Sequence, residues 1–242
     1  MHLDVIEIKD FYSARLGQMV RRHIGQKIRN SWPKGGGFMI AGVGYTTPYL
    51  RPYLSESPMV VNFSPAGQGG LMWPSDGPFR SVLIEEDMFP LGDACLDRVL
   101  EVHGLEFFAD VEAHLKEVWR VLRPEGRLLL VVPNRSGLWA RVDKTPFGYG
   151  QPFSRGQLHD LLVSTWFRPL SISPLIHFAP FELPLRLTAS PAFEKVGAKV
   201  WPRFSGMLMV EAIKEVAQPI RPKGLKARRL NPSAIQVKPV PA

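Results

Sequence analysis

Cysteine is almost missing from this chain: Cys95 stands alone in 242 residues. One thiol closes no disulfide, and a zinc site built on cysteines is excluded with it, so no metal site is expected. Also missing is any run of about 20 apolar residues, the length a membrane-spanning helix needs. The opening segment, MHLDVIEIKD, holds acids and no long apolar stretch, which argues against a signal peptide. A cytoplasmic protein without a membrane span is the expectation. Aromatic residues, in contrast, are plentiful, with 14 Phe, 6 Trp and 5 Tyr, too many for a disordered chain. The length fits one large domain.

Acidic residues are absent from the C-terminal region. Residues 220–242 hold Arg221, Lys223, Lys226, Arg228, Arg229 and Lys238 and no acid, while residues 1–219 carry 24 bases against 22 acids. The net charge of +8 therefore belongs mostly to a Pro-containing basic tail, which is expected to be disordered. Such a tail is either solvated or an electrostatic contact for RNA, anionic lipid or an acidic partner.

Apolar residues at Ile8, Phe11, Tyr12, Leu16, Met19, Val20, Ile24 and Ile28 recur at helical spacing, so residues 1–34 are expected to supply a helix packed on a domain formed by residues 35–219. Pro33 and Gly35 to Gly37 end it. Phe38–Ala41 is a short apolar strand that opens into Gly42-Val43-Gly44, and Thr47 is placed to cap a helix beginning at Pro48. Further strands are expected at Met59–Phe63, Arg80–Ile84, Asp97–Val102, Arg127–Val132, Pro169–Ser173 and Met207–Ile213. Helices are expected over Asp110–Arg123, after Ser154 with Gln157 as a capping box, and from Ser190 to Trp201. Strands alternating with helices imply a three-layer α/β sandwich, a mainly parallel seven-stranded sheet covered on both faces. Ligands of such sheets bind beyond the carboxyl ends of the strands.

Gly42-Val43-Gly44 alone is a weak signal, since many tight turns look the same. It is followed by Glu85-Glu86-Asp87-Met88-Phe89-Pro90-Leu91, by Leu96 to Glu106, by Glu117 to Arg127 with Leu122-Arg123-Pro124-Glu125-Gly126, and by Val131 to Arg135. In that order these segments resemble the class I S-adenosylmethionine-dependent methyltransferases, in the branch of the type 11 methyltransferase domain. The resemblance covers roughly residues 38–170. It implies a Rossmann-like fold, S-adenosylmethionine as cofactor, and methyl transfer to a small molecule. Gly42, Gly44, Asn62, Asp87 (with Glu85 and Glu86 as alternates), Val102 and Tyr12 are then the expected cofactor contacts. His103 is the expected general base, and the loop bearing Trp139, Phe147 and Tyr149 a lid for an apolar or aromatic substrate.

Three positions depart from the family pattern. Ile40 stands where an acid is usual, Thr46 takes the place of a third glycine, and Asn62 replaces the acid that grips the ribose. Together they motivate an alternative, a non-catalytic methyltransferase-fold protein acting as a binding or regulatory partner. A third reading is an RNA methyltransferase whose basic tail holds nucleic acid.

Overall fold

Alternating apolar residues decide the architecture. The computed structural model describes residues 3–143, 145–180 and 205–216. Seven strands, β1 (Met39–Gly44), β2 (Met59–Pro65), β3 (Ser81–Ile84), β4 (Leu96–Val102), β5 (Leu122–Pro133), β6 (Phe167–Leu175) and β7 (Met207–Lys214), form one sheet in the order β3-β2-β1-β4-β5-β7-β6. The first five run parallel, and β7 pairs antiparallel with both β5 and β6.

In β5, Leu129 and Val131 face one core while Leu128, Leu130 and Val132 face the other. Leu100 and Val102 of β4 oppose Val99 in the same way, as Met207 and Met209 of β7 oppose Leu208 and Val210. Side chains of a strand alternate between faces, so a strand apolar at every position must be covered on both. Helices α1 (Val5–Ser13) and α2 (Arg15–Ser31) cover the first face through Ile8, Tyr12, Val20, Ile24 and Ile28. Helices α4 (Val111–Val121) and α5 (Arg155–Ser164) cover the second through Leu115, Val118, Leu158 and Leu162. Each such buried aliphatic side chain contributes roughly 1.5–3 kcal/mol. The capping box at Ser154 and Gln157 starts α5 as expected, with bonds of 3.2 and 3.1 Å.

The N-terminal helix is two helices rather than one. Ala14, with ψ 160, breaks the segment, although no proline or glycine stands there. Gly17, three residues on, accommodates the break. A Cβ at Gly17 would sit 2.0 Å from the Phe11 carbonyl oxygen, so the first turn of α2 packs directly on the backbone of α1. A second correction concerns the short helix α3 (Thr47–Leu50), which begins one residue early and has Thr46 at its cap without a side-chain capping bond. Both the helix expected at Ser190 to Trp201 and the tail at 220–242 lie outside the described residues. Among the described residues, no helix is long and apolar enough to cross a membrane.

Candidate functional site

The sheet order reverses at β1, which pairs with β2 on one side and β4 on the other. A crevice at the carboxyl edge is the usual result of such a switch. Gly44 ends β1 at φ +78, and a Cβ there would lie 2.5 Å from the Val102 carbonyl oxygen and 2.6 Å from that of His103. Only glycine lets the two strand ends approach this closely. The turn is closed by Tyr45 N–H donating to the Val102 carbonyl at 2.8 Å.

His103 follows β4 in the left-handed region, at φ 54, and is wholly buried. That conformation is uncommon for a residue with a side chain, though histidine tolerates it better than most. Its Nδ1 lies 3.1 Å from Glu106 Oε1 and its Nε2 lies 2.9 Å from the Tyr12 hydroxyl. A carboxylate can only accept, so Nδ1 carries the proton and Nε2 accepts from the phenol. Burial pushes the Tyr12 phenol well above its ordinary value, helped by neighbouring Tyr49, Tyr45 and Glu106, which keeps it protonated and a donor. Glu106 Oε2 is buried with no hydrogen-bond partner.

Helix α1 is thus fastened to the end of β4. Tyr12 stacks on Tyr45 with ring centroids 5.2 Å apart and planes within 8°. Gln68 holds both ends of the arrangement: its amide donates to the His103 carbonyl at 2.9 Å, and its own carbonyl accepts from Val5 N–H at 2.9 Å. From the loop after β5, Phe147 packs on His103 at 4.8 Å and edge-on against Phe11, and Trp139 packs against Phe147. Trp139 also donates from Nε1 to the Phe178 carbonyl at 2.7 Å.

The structure therefore gathers Tyr12, Gly44, Val102, His103, Trp139 and Phe147 into one cluster. Asn62 is buried on the neighbouring strand, where it accepts from the Thr46 hydroxyl at 2.5 Å and donates to Ser64 at 3.0 Å. Gly42 faces the same pair, since a Cβ there would lie 1.9 Å from Thr46 Oγ1. Asp87 and Tyr149 are not drawn in; both are exposed, Tyr149 at 37%. Glu106, three residues after His103, is buried with His103 as its partner. Asp97 has a local structural role, accepting from Met39 N–H at 2.7 Å and from Arg123 at 2.9 Å.

Tyr45, Tyr49 and Gln68 were not foreseen as part of the site. Tyr45 follows the glycine turn directly, which was a usable signal; Gln68 offered none. A second buried dyad was also missed: His114 Nε2 lies 3.1 Å from Glu101 Oε2, and His114 Nδ1 donates to the Glu86 carbonyl at 2.6 Å. Burial alone would lower the pKa of His114, but the charge and hydrogen bond of Glu101, with Glu86, raise it overall.

As arranged, these residues do not fit S-adenosylmethionine. Thr46, Val102 and His103 are completely buried, and Tyr12 and Asn62 are 1% and 2% exposed. A void beside them wide enough for even a water would leave them accessible surface. The ring of Tyr12 fills the space above the turn, and both ends of the Asn62 amide are taken by internal partners.

Comparison with known proteins gives the relationship. The family described as a methyltransferase domain matches residues 41–130. A demethylmenaquinone methyltransferase from Deinococcus radiodurans is 42% identical over 65 residues, and the match takes in 26% of this chain and 27% of that protein. This chain thus spans about a quarter of that curated relative. Among solved structures, an S-adenosylmethionine-dependent methyltransferase from Thermotoga maritima superposes with a TM-score of 0.61 at 16% identity, over 87% of this chain and 96% of that one. A chain of the complex between the Haloferax volcanii Trm112 methyltransferase activator and a methyltransferase gives 0.61 at 15% identity over 89% and 100%. These likenesses are of fold. With the glycine turn, the hairpin into β5 and the sheet order, they give the chain the fold of the class I S-adenosylmethionine-dependent methyltransferases, and residues 41–130 match the methyltransferase domain family.

Proposed function

We propose that this chain transfers a methyl group from S-adenosylmethionine to a small apolar or aromatic molecule, and that the described conformation is its closed state. The observation that carries the reading is the buried Tyr12–His103–Glu106 chain beside the glycine turn at the switch point of the sheet. A histidine whose Nδ1–H is held by a carboxylate keeps a basic Nε2, the arrangement a general base needs. Here Nε2 is occupied by Tyr12, a residue of the cover, so lifting α1 about Ala14 frees the base. The same movement clears the space over Gly42, Gly44 and Val102, with Asn62 at its edge as a remaining expected contact. The unmet oxygen of Glu106 gives the opened site a further acceptor. Trp139 and Phe147 then form an aromatic wall, and the likeness of a quarter of the chain to an enzyme acting on demethylmenaquinone supports an apolar or aromatic substrate. Division of the chain into a cover at 1–34, a domain at 35–219 and a basic tail at 220–242 belongs to this reading.

A second reading is favoured by the filled berth itself: a non-catalytic member of the family that binds a partner protein, as the Haloferax relative assembles with an activator. Calorimetry with S-adenosylmethionine and its demethylated product, on the wild type and on Tyr12→Ala, separates the two. The first reading expects binding that tightens when Tyr12 is truncated. No heat from either protein would leave only the second.

A further inference from the structure

Away from the berth, α2 carries Arg15, Arg21, Arg22, Lys27 and Arg29 and no acid. Arg29 is committed to Glu56, with a bidentate pair whose shorter bond is 2.5 Å, and lies over the Tyr53 ring. Arg21 and Arg22 differ: both are exposed and make no ion pair or hydrogen bond among the described residues. They line a cavity of about 460 Å³ together with Arg51, Gln26, Thr47 and Trp73. None of the residues lining it is acidic. Arg51 has a loose contact of 3.9 Å with Asp76, and both of those side chains are largely exposed.

Three guanidinium groups around one concavity repel one another, and nothing in its wall offsets the repulsion. Guanidinium presents a planar fork that matches phosphate oxygens bidentately, and Gln26 and Thr47 add neutral donors at the same rim. The volume exceeds that of a single phosphate and admits the group it esterifies. We propose that this cavity, on the outer side of α2 and α3, binds a phosphorylated ligand. The chemistry is shared by a small phosphorylated molecule and by an RNA backbone, and the test distinguishes them. The site is separate from the berth and stands whether or not the chain transfers methyl groups.

The full chain is titrated with inorganic pyrophosphate by calorimetry and with a short fluorescein-labelled single-stranded RNA by anisotropy, between about 50 and 200 mM salt. Three proteins are compared: the wild type, the triple variant Arg21→Gln/Arg22→Gln/Arg51→Gln, and a control triple, Lys116→Gln/Arg141→Gln/Arg155→Gln, that removes equal charge elsewhere, from exposed Arg141 and Arg155 and half-buried Lys116. Binding of either probe is expected, with roughly tenfold or greater loss in the first triple and less than threefold in the control. Pyrophosphate binding identifies a small phosphorylated ligand. RNA binding alone, with a salt slope reduced by about 2 in the first triple, identifies a phosphodiester backbone. The single variants Arg21→Gln and Arg22→Gln, each expected to weaken binding about threefold, carry the test if the triple does not fold. Silence of both probes on the wild type, or equal losses in the two triples or in singles at site and control positions, would overturn the proposal.

Discussion

Replacing Tyr12 by Phe isolates the bond that fastens α1 to the end of β4. The ring, its stacking on Tyr45 and its burial are retained, and only the hydroxyl goes. His103 Nε2 then becomes a buried acceptor without a donor, a loss of about 1–3 kcal/mol. For a domain of this size each kcal/mol lowers Tm by roughly 2–4 °C, so a fall of several degrees is expected. Urea unfolding of Tyr12→Phe, His103→Asn and the double variant completes a cycle; asparagine is chosen because it tolerates the left-handed backbone at 103. The coupling should reach about 1–2 kcal/mol, since the two side chains share one buried network with Glu106. Hydrogen exchange adds a local readout: amides of α1 should lose protection in Tyr12→Phe before those of β4 and β5 do. A coupling near zero, or an α1 as protected as before, would refute the assignment of this bond as the fastening.

Three further outcomes follow from other parts of the structure. Gly44→Ala places a methyl against two carbonyl oxygens at φ +78, so a loss of about 2 kcal/mol or more is expected, read as a shift in the urea midpoint. His114, whose folded pKa is raised, contributes stability that is complete below the ordinary histidine value and fades as pH rises through the raised one. The stability gap between wild type and His114→Gln should therefore be wider at acid pH than at alkaline pH, and a gap that widens toward alkaline pH contradicts the Glu101 pairing. Ser154→Ala removes the oxygen that accepts from Gln157 N–H and should cost about 0.5–2 kcal/mol in chemical denaturation, with α5 fraying first by hydrogen exchange.

Much of the architecture could be read from residue patterns because it rests on local rules. The run Arg127 to Val132 announces a strand covered on both faces, and Ser154 with Gln157 announces a helix start; both are present. The break at Ala14 could not be read, because no proline or glycine marks it and the close approach of Gly17 to the Phe11 backbone that accompanies it is a packing event. The berth was legible as a set of exceptions. Thr46 and Asn62, each an isolated departure from the family pattern in sequence, are hydrogen-bonded to each other, and Ile40 is fully buried in the core. His114 was hidden by its neighbours: it sits beside Leu115, three residues before Glu117, on a helix whose apolar face looks complete without it. Its partner Glu101 lies in a strand where the surrounding residues are apolar, and nothing in the spacing links the two.

The Thr46–Asn62 pair also sets a barrier to engineering the ribose grip back into this chain. An aspartate at 62 keeps an oxygen for the Thr46 hydroxyl but forfeits the amide donor that Ser64 now accepts. It would also bring a negative charge to a place almost sealed from water, with no cation among its hydrogen-bonding neighbours. Restoring the carboxylate by a single exchange is thus uphill. The productive route begins at position 46, where glycine would vacate the space of the Thr46 side chain for water that solvates the new acid.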